Sequence, residues 1–210
     1  MARPDPTLEP PGLASRPNST TVTQVREYRL ITPLFGGGVR PAEADPVTVV
    51  RASEVRGQLR FWWRAARGGR FNGSLQEMKA AEDRLWGAPA RFDSQGKIAA
   101  GQSQVHVVVE PIDAGSDFVV RDPRSGRPLS AGAPQSPYSY GAFPLNDKQD
   151  ATLRENVRFR LRITFPAEAR ADVEAALWTW ETFGGIGART RRGFGALVCE
   201  LVDGKAPDRP

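Results

Sequence analysis

The run "NVRFRLRITF", Asn156 to Phe165, constrains the chain more than any other stretch. Val157, Phe159, Leu161 and Ile163 alternate with Arg158, Arg160 and Arg162. Successive side chains of a strand point to opposite faces, so one face here is apolar and the other is a row of arginines. A strand covered on both sides would be apolar throughout. This one predicts an antiparallel strand with one face in a core and the other in water. The period then changes. In "PAEARADVEAALWTWETF", Ala169, Val173, Ala176, Leu177 and Trp180 recur at helical spacing. Pro166 stands near the first helical position, where its missing N–H is not needed. A glycine-rich stretch follows, and "ALVCELV" reads as a closing strand.

Upstream, "TTVTQVREYRLITPLF", Thr20 to Phe35, is rich in β-branched and aromatic residues and reads as a strand. "GGGVRPAEADP" is a loop and "VTVV" a short strand. "SEVRGQLRFWWRAARGG" reads as a helix with Ser53 as N-cap and Gly68-Gly69 as its stop. Its apolar face is Val55, Leu59, Trp62 and Ala66. "SLQEMKAAEDRLWGA" predicts a second helix with Leu75, Met78 and Leu85 inward, and "SQVHVVVEPI" a strand. The order β-α-(α)-β-β-α-β is the ferredoxin-like pattern, shared with the RNA-recognition module (RRM). The expected class is α+β: a ferredoxin-like, RRM-like βαββαβ domain with an antiparallel sheet, helices on one face and long loop insertions. Residues 1–19 hold five prolines and read as a disordered tail. Residues 20–203 read as one domain carrying a Gly/Pro/Ser-rich insertion at 114–150, and 204–210 as a loose tail.

The chain has a formal net charge of +5 and a pI near 9.9, which suits a polyanionic partner. Of its 29 basic residues 25 are arginine and four lysine. Arginine suits bidentate phosphate contact and stacking on bases; a GC-rich coding sequence would raise arginine too. One cysteine, Cys199, and one histidine, His106, leave no disulfide framework and no zinc cluster. No metal and no cofactor is expected. No apolar run reaches membrane-spanning length, and "MARPDPTLEPPGLASRPNST" lacks the apolar core of a signal peptide. The expected location is cytoplasmic, with no membrane partner.

Two constellations carry the functional reading. The first is "GGIGARTRRGFG", Gly184 to Gly195. A dinucleotide fingerprint opens a helix, whose N-terminus faces the phosphates. This loop leaves a helix and enters a strand, and the third glycine of G-x-G-x-x-G is absent, so it is not a mononucleotide pocket. A glycine-rich backbone with N–H groups to offer, and with Arg189, Arg191 and Arg192, suits an extended nucleic-acid backbone. A helix cap and strand entry account for Gly184 or Gly185, but not for Gly193 and Gly195 around Phe194. The second is residues 51–70, with six arginines and one glutamate. Arg56, Arg60, Arg64 and Arg67 share one helix face beside Gly57. Like charges one turn apart repel, so the stripe calls for an anionic partner. Phe61, Trp63, Tyr138, Tyr140, Phe143 and Phe194 are interleaved aromatics, suited to core packing or to stacking on bases.

These residues resemble the RAMP superfamily of CRISPR proteins. Thr32–Gly38, "VRGQLRFWWRA" at 55–65, "LWG" at 85–87 and "GIGARTRRGFG" at 185–195 appear in the order of that family's signatures. The similarity is strongest to the first-numbered, terminal subunit family of the type III-B Cmr effector complex. It implies a ferredoxin-like fold and a non-catalytic subunit that contacts CRISPR guide RNA, target RNA and other effector subunits. Many members of that family carry two ferredoxin-like units; this chain has room for one. The RNA-facing set is Arg51, Arg56, Gly57, Arg60, Arg64, Arg67, Gly185, Gly187, Arg189, Arg191, Arg192, Gly193, Phe194 and Gly195. With both constellations paired, it reads as one wall of a groove.

Two nuclease readings stand beside it. Related guide-processing endoribonucleases use a histidine, and His106 lies in "QVHVVV". Backbone subunits of type III complexes cut target RNA with an aspartate after the first strand, where this chain has Asp45. A third reading is a protein-only module whose arginine faces meet acidic subunit surfaces.

Overall fold

The computed structural model describes residues 20–36, 48–89, 91–92, 98–99, 101–146 and 153–208. The proposed tail 1–19 and Asp45 lie outside the described residues. In chain order the elements are β1 (Thr21–Leu30), β2 (Leu34–Phe35), α1 (Ala52–Arg67), α2 (Leu75–Trp86), β3 (Arg91–Phe92) and β4 (Ile98–Ala99). Then come β5 (His106–Asp113), β6 (Ser116–Phe118), α3 (Ser139–Ala142), β7 (Leu153–Glu155), β8 (Arg158–Pro166), α4 (Arg170–Phe183) and β9 (Leu197–Val202).

The main sheet has the order β5-β8-β1-β9, with every neighbouring pair antiparallel. The strands that follow α1 and α4 therefore flank the β8–β1 centre, which is the ferredoxin-like βαββαβ arrangement. Strand β8 alternates as its sequence requires: Phe159, Leu161, Ile163 and Phe165 are buried under α1 and α4. On α4, Ala169 just before it and Val173, Ala176, Leu177 and Trp180 within it are buried, as the helical period predicts. Each fully buried Leu, Ile or Phe contributes roughly 1.5–3 kcal/mol.

The inner face of β1 is partly polar, and α4 answers it. Gln24 Nε2 donates to Glu174 at 3.1 Å, Arg26 Nη1 to Glu181 at 2.9 Å, and the Tyr28 hydroxyl to Glu181 at 2.6 Å. Burial, then the neighbouring Glu181 charge, holds the Tyr28 hydroxyl well above its usual pKa, so it stays a neutral donor.

Local readings needed correction in several places. Ser53 is not the N-cap of α1; Arg51 occupies that position with no side-chain cap bond. The buried face of α1 is Val55, Leu59 and Trp63, whereas Ala66 is exposed and Trp62 half-buried. On α2 the buried residues are Glu82, Leu85 and Trp86, while Leu75 is 74% exposed. Val49 and Val50 lie in a bend rather than a strand, and β1 ends at Leu30. The insertion is built rather than bare: its strand β6 joins β7 and β2, which lie outside it, in a small sheet. It covers a second core of Phe35, Val120, Ala131, Ala142, Leu145, Leu153 and Phe194.

Candidate nucleic-acid interface

The glycine loop divides into a clamped base and an exposed tip. At the base, Gly184 N–H caps α4 by donating to the Trp180 carbonyl, and the Trp180 indole donates to the Gly185 carbonyl at 2.9 Å. Ile186, fully buried, donates to Gly195 O at 2.9 Å, Ala188 to Phe35 O at 2.8 Å, and Gly195 to Pro33 O at 2.8 Å. Ala196 N–H donates to the Thr32 hydroxyl at 2.8 Å. Gly187 N–H donates to the Glu54 carboxylate at 2.6 Å. The N–H groups expected to await a nucleic acid are, at these positions, spent inside the chain. Gly185 and Gly195 are buried, and a Cβ on Gly195 would lie 1.8 Å from the Ile186 carbonyl oxygen. Glu54, the one glutamate among the six arginines of residues 51–70, carries no signal in the sequence that it reaches the glycine loop. Burial raises its pKa, opposed by the Gly187 hydrogen bond and by Arg51.

Phe194 is 4% exposed and packs edge-on against Phe35 at 5.6 Å. Phe194, expected to face RNA, instead faces inward: a buried ring has no face to offer a base, and it anchors the tip to the second core. Trp63 is likewise core, at 1% exposure.

The tip is Arg189 to Gly193, a single 3-10 turn with Arg191, Arg192 and Gly193 exposed. The insertion supplies its other side. The Arg189 guanidinium lies 4.5 Å from the Phe143 ring centroid, and that of Arg192 lies 4.8 Å from Tyr140. Arg192 Nη1 also donates to the Tyr140 hydroxyl at 2.7 Å. Tyr140 is 75% and Phe143 61% exposed. None of the three loop arginines has a carboxylate ion pair among the described residues. Only the tertiary fold joins residues 140–143 to 189–193.

The helix stripe has a different fate. The anionic partner it calls for is found within the chain. Arg60 Nε and Arg64 Nη1 both donate to Glu82 Oε1, at 2.7 and 2.5 Å. Arg67 pairs with Asp172 at 3.3 Å and donates to Ala171 O. Arg56 donates to the Trp86 carbonyl; burial, then repulsion from Arg60, lowers its pKa. These side chains splice α1 to α2 and to the start of α4 rather than lying free. Arg51 is half-buried beside Glu54, and Gly57 is exposed with nothing within 4 Å of a Cβ there. Glu54 is the link between stripe and loop, through Gly187.

The open face of the main sheet is a ladder of ion pairs. Arg160 meets Glu27 and Glu110, Arg162 meets Glu110, and Arg29 and Arg158 share Glu200. His106 is exposed at the β5 edge opposite Thr164. The aromatic residues of β1 and β8 all point inward, so no stacking platform of the RRM kind stands on this face among the described residues. No group of three His, Cys, Asp or Glu side chains that could hold a metal occurs among them. Among the described residues no helix is long and apolar enough to cross a membrane.

The CRISPR system Cmr subunit Cmr1-2 of Pyrococcus furiosus is 26% identical over 190 residues, 84% of this chain and 94% of that protein. The crystal structure of apo Cmr1 from Pyrococcus furiosus aligns with a TM-score of 0.59 at 21% identity, over 86% of this chain and 50% of that one. The chain thus spans about half the length of that structural relative. A chain in a cryo-EM structure of type III-B Cmr-β bound to cognate target RNA aligns at TM-score 0.47 and 15% identity, over 87% of this chain and 60% of that one. A family model described as the RAMP superfamily matches residues 27–198, which take in β5 and β8, the inner ends of β1 and β9, both principal helices and the glycine loop. With the ferredoxin-like strand order and a buried glycine-loop base in place over that same span, the chain belongs to the RAMP superfamily.

Proposed function

We propose that this chain is an RNA-binding, non-catalytic RAMP subunit of a type III CRISPR ribonucleoprotein effector complex in the cytoplasm. In that role it contacts guide or target RNA and neighbouring subunits and helps RNA-guided antiviral target capture. One observation carries the reading: a rigidly based loop presents Arg189, Arg191 and Arg192 with no carboxylate partner among the described residues, beside the exposed rings of Tyr140 and Phe143. Guanidinium groups of this kind pair with phosphates, and exposed rings stack on unpaired bases regardless of sequence. Strength would come from the tip; Arg60, Arg64 and Arg67 are held by Glu82 and Asp172 and contribute a background field.

Filter binding of single-stranded RNA across a salt series tests this. Three phosphate contacts on a single strand predict a log–log slope of about −2. The double variant R191E/R192E should flatten the slope and weaken binding far more than Arg60→Glu. A salt-independent affinity, or equal loss from both variants, would refute the assignment to the loop.

A further inference from the structure

A second exposed surface lies on the helix layer, away from the arginine tip. Phe61 is 52%, Trp178 54% and Phe183 64% exposed, and half-buried Trp62 joins them. The four rings form a continuous strip. Phe61 meets Trp62 edge-on at 5.1 Å, Trp62 lies 6.3 Å from Phe183, and Phe183 meets Trp178 edge-on at 5.9 Å. Contiguous exposed aromatics of this extent on a folded domain mark an interaction site. Beside Phe61, one turn away in each direction, stand Gly57 and Ala65. A glycine inside a helix is unfavourable against alanine, and among the described residues nothing beyond the neighbouring helix backbone lies within 4 Å of a Cβ built at Gly57. Packing within the chain gives Gly57 no reason; the close approach of another backbone does.

Charge selects the occupant. Among the described residues, Arg60, Arg64 and Lys79 on the α2 side of the strip are met by Glu82 and Asp83, and Arg67 and Arg70 near the start of α4 by Asp172. Each cluster keeps one uncompensated positive charge, and Arg56 adds another, bonded only to a carbonyl. A second copy of the chain docked across a two-fold axis would set basic rim against basic rim. RNA would need cations stacked among the aromatic rings, and among the described residues no guanidinium lies over Phe61, Trp62, Trp178 or Phe183; the arginines stand to one side, along α1.

We infer that the α1–α4 strip docks an amphipathic helix from another protein, with an apolar face against Phe61, Trp62, Trp178 and Phe183 and an acidic flank toward the α1 arginines. This surface is independent of the RNA reading at the loop tip.

The test uses the full chain and a fluorescein-labelled synthetic helix of about five turns, leucine and phenylalanine on one face and glutamate on the flank. A second helix replaces each glutamate with lysine. Fluorescence anisotropy should show the acidic helix binding at least about tenfold more tightly than the basic one. The double variant F61S/W178S should weaken it by at least about tenfold, since both rings would be central anchors. Gly57→Leu, whose side chain enters open space, should weaken it as well and guards against misfolding of the double variant. Equal binding of the two helices, or no binding of either, overturns the inference. So does wild-type sedimentation as a dimer that F61S/W178S dissolves. Loss of single-stranded RNA affinity in F61S/W178S with helix binding unchanged would assign the strip to bases instead and overturn it too.

Discussion

Gly193, Phe194 and Gly195 are adjacent, yet the structure assigns each a different penalty on substitution by alanine. Gly193 has φ 88° and nothing within 4 Å of a Cβ, so Gly193→Ala carries only the left-handed backbone cost, about 1–2 kcal/mol. Gly195 has φ 63° and carries that same cost, but its Cβ would also sit 1.8 Å from the Ile186 carbonyl oxygen. Relief means separating the two sides of the loop. The Ile186–Gly195 and Gly195–Pro33 backbone bonds, at 2.9 and 2.8 Å, would then be lost at about 1 kcal/mol each, for a total near 3–4 kcal/mol. Phe194→Ala empties a buried ring site in the second core and should cost about 3–5 kcal/mol. At roughly 3 °C per kcal/mol for a domain of this size, melting should fall by about 3–6 °C for Gly193→Ala and about 10 °C for Gly195→Ala. Thermal melting followed by circular dichroism reads this directly, and RNA binding below the lowest midpoint separates folding from contact. Equal shifts for the two glycine variants, or a Gly195→Ala midpoint at the wild-type value, would refute the clamped-base argument.

Other substitutions probe the neighbouring contacts. Glu54 has a folded-state pKa raised mainly by burial, so the native state holds its proton more tightly than the unfolded chain. Stability therefore falls as pH rises from the ordinary carboxylate value through the raised one. Glu54→Gln keeps an acceptor for Gly187 N–H, and denaturant titrations should show it gaining on wild type across that window and matching it below. Glu82→Ala removes the carboxylate shared by Arg60 and Arg64; chemical denaturation should report a loss of about 1–3 kcal/mol, while RNA affinity stays the same or rises because two guanidiniums are released. Gly57→Ala should raise the melting midpoint by about 2–4 °C, because helix propensity improves by up to about 1 kcal/mol and the Cβ enters open space. Tyr140→Ala should weaken single-stranded RNA binding by about 1–3 kcal/mol in filter binding without lowering the melting midpoint.

The sheet and its principal helices were legible because their signals are local and periodic. β8 alternates at period two and α4 repeats at helical spacing, and each pattern has one solution once a single core must be filled. Period alone misplaced the details of α1 and α2. Trp62 and Trp63 are equally apolar, and which of them goes inward depends on where α4 sits. Glu82 reads as surface in a polar helix, yet it is 3% exposed because two arginines from α1 converge on it.

The candidate site was legible in composition but not in use. The glycines and arginines of the loop are visible at once, and so is the arginine stripe; which backbone donors are spent and which guanidiniums are paired is not. Those outcomes depend on contacts far apart in sequence: Glu54 to Gly187, Arg64 to Glu82, Arg192 to Tyr140. By itself, then, the sequence determined the element order, the antiparallel sheet with one apolar face, and the basic character of residues 51–70 and 189–192. Only the tertiary structure decided that the first basic cluster is held by carboxylates of α2 and α4 while the second is left open beside two aromatic rings. The physical reason is range: side-chain period acts over a few residues, whereas an ion pair or a buried N–H finds its partner only after distant segments have packed.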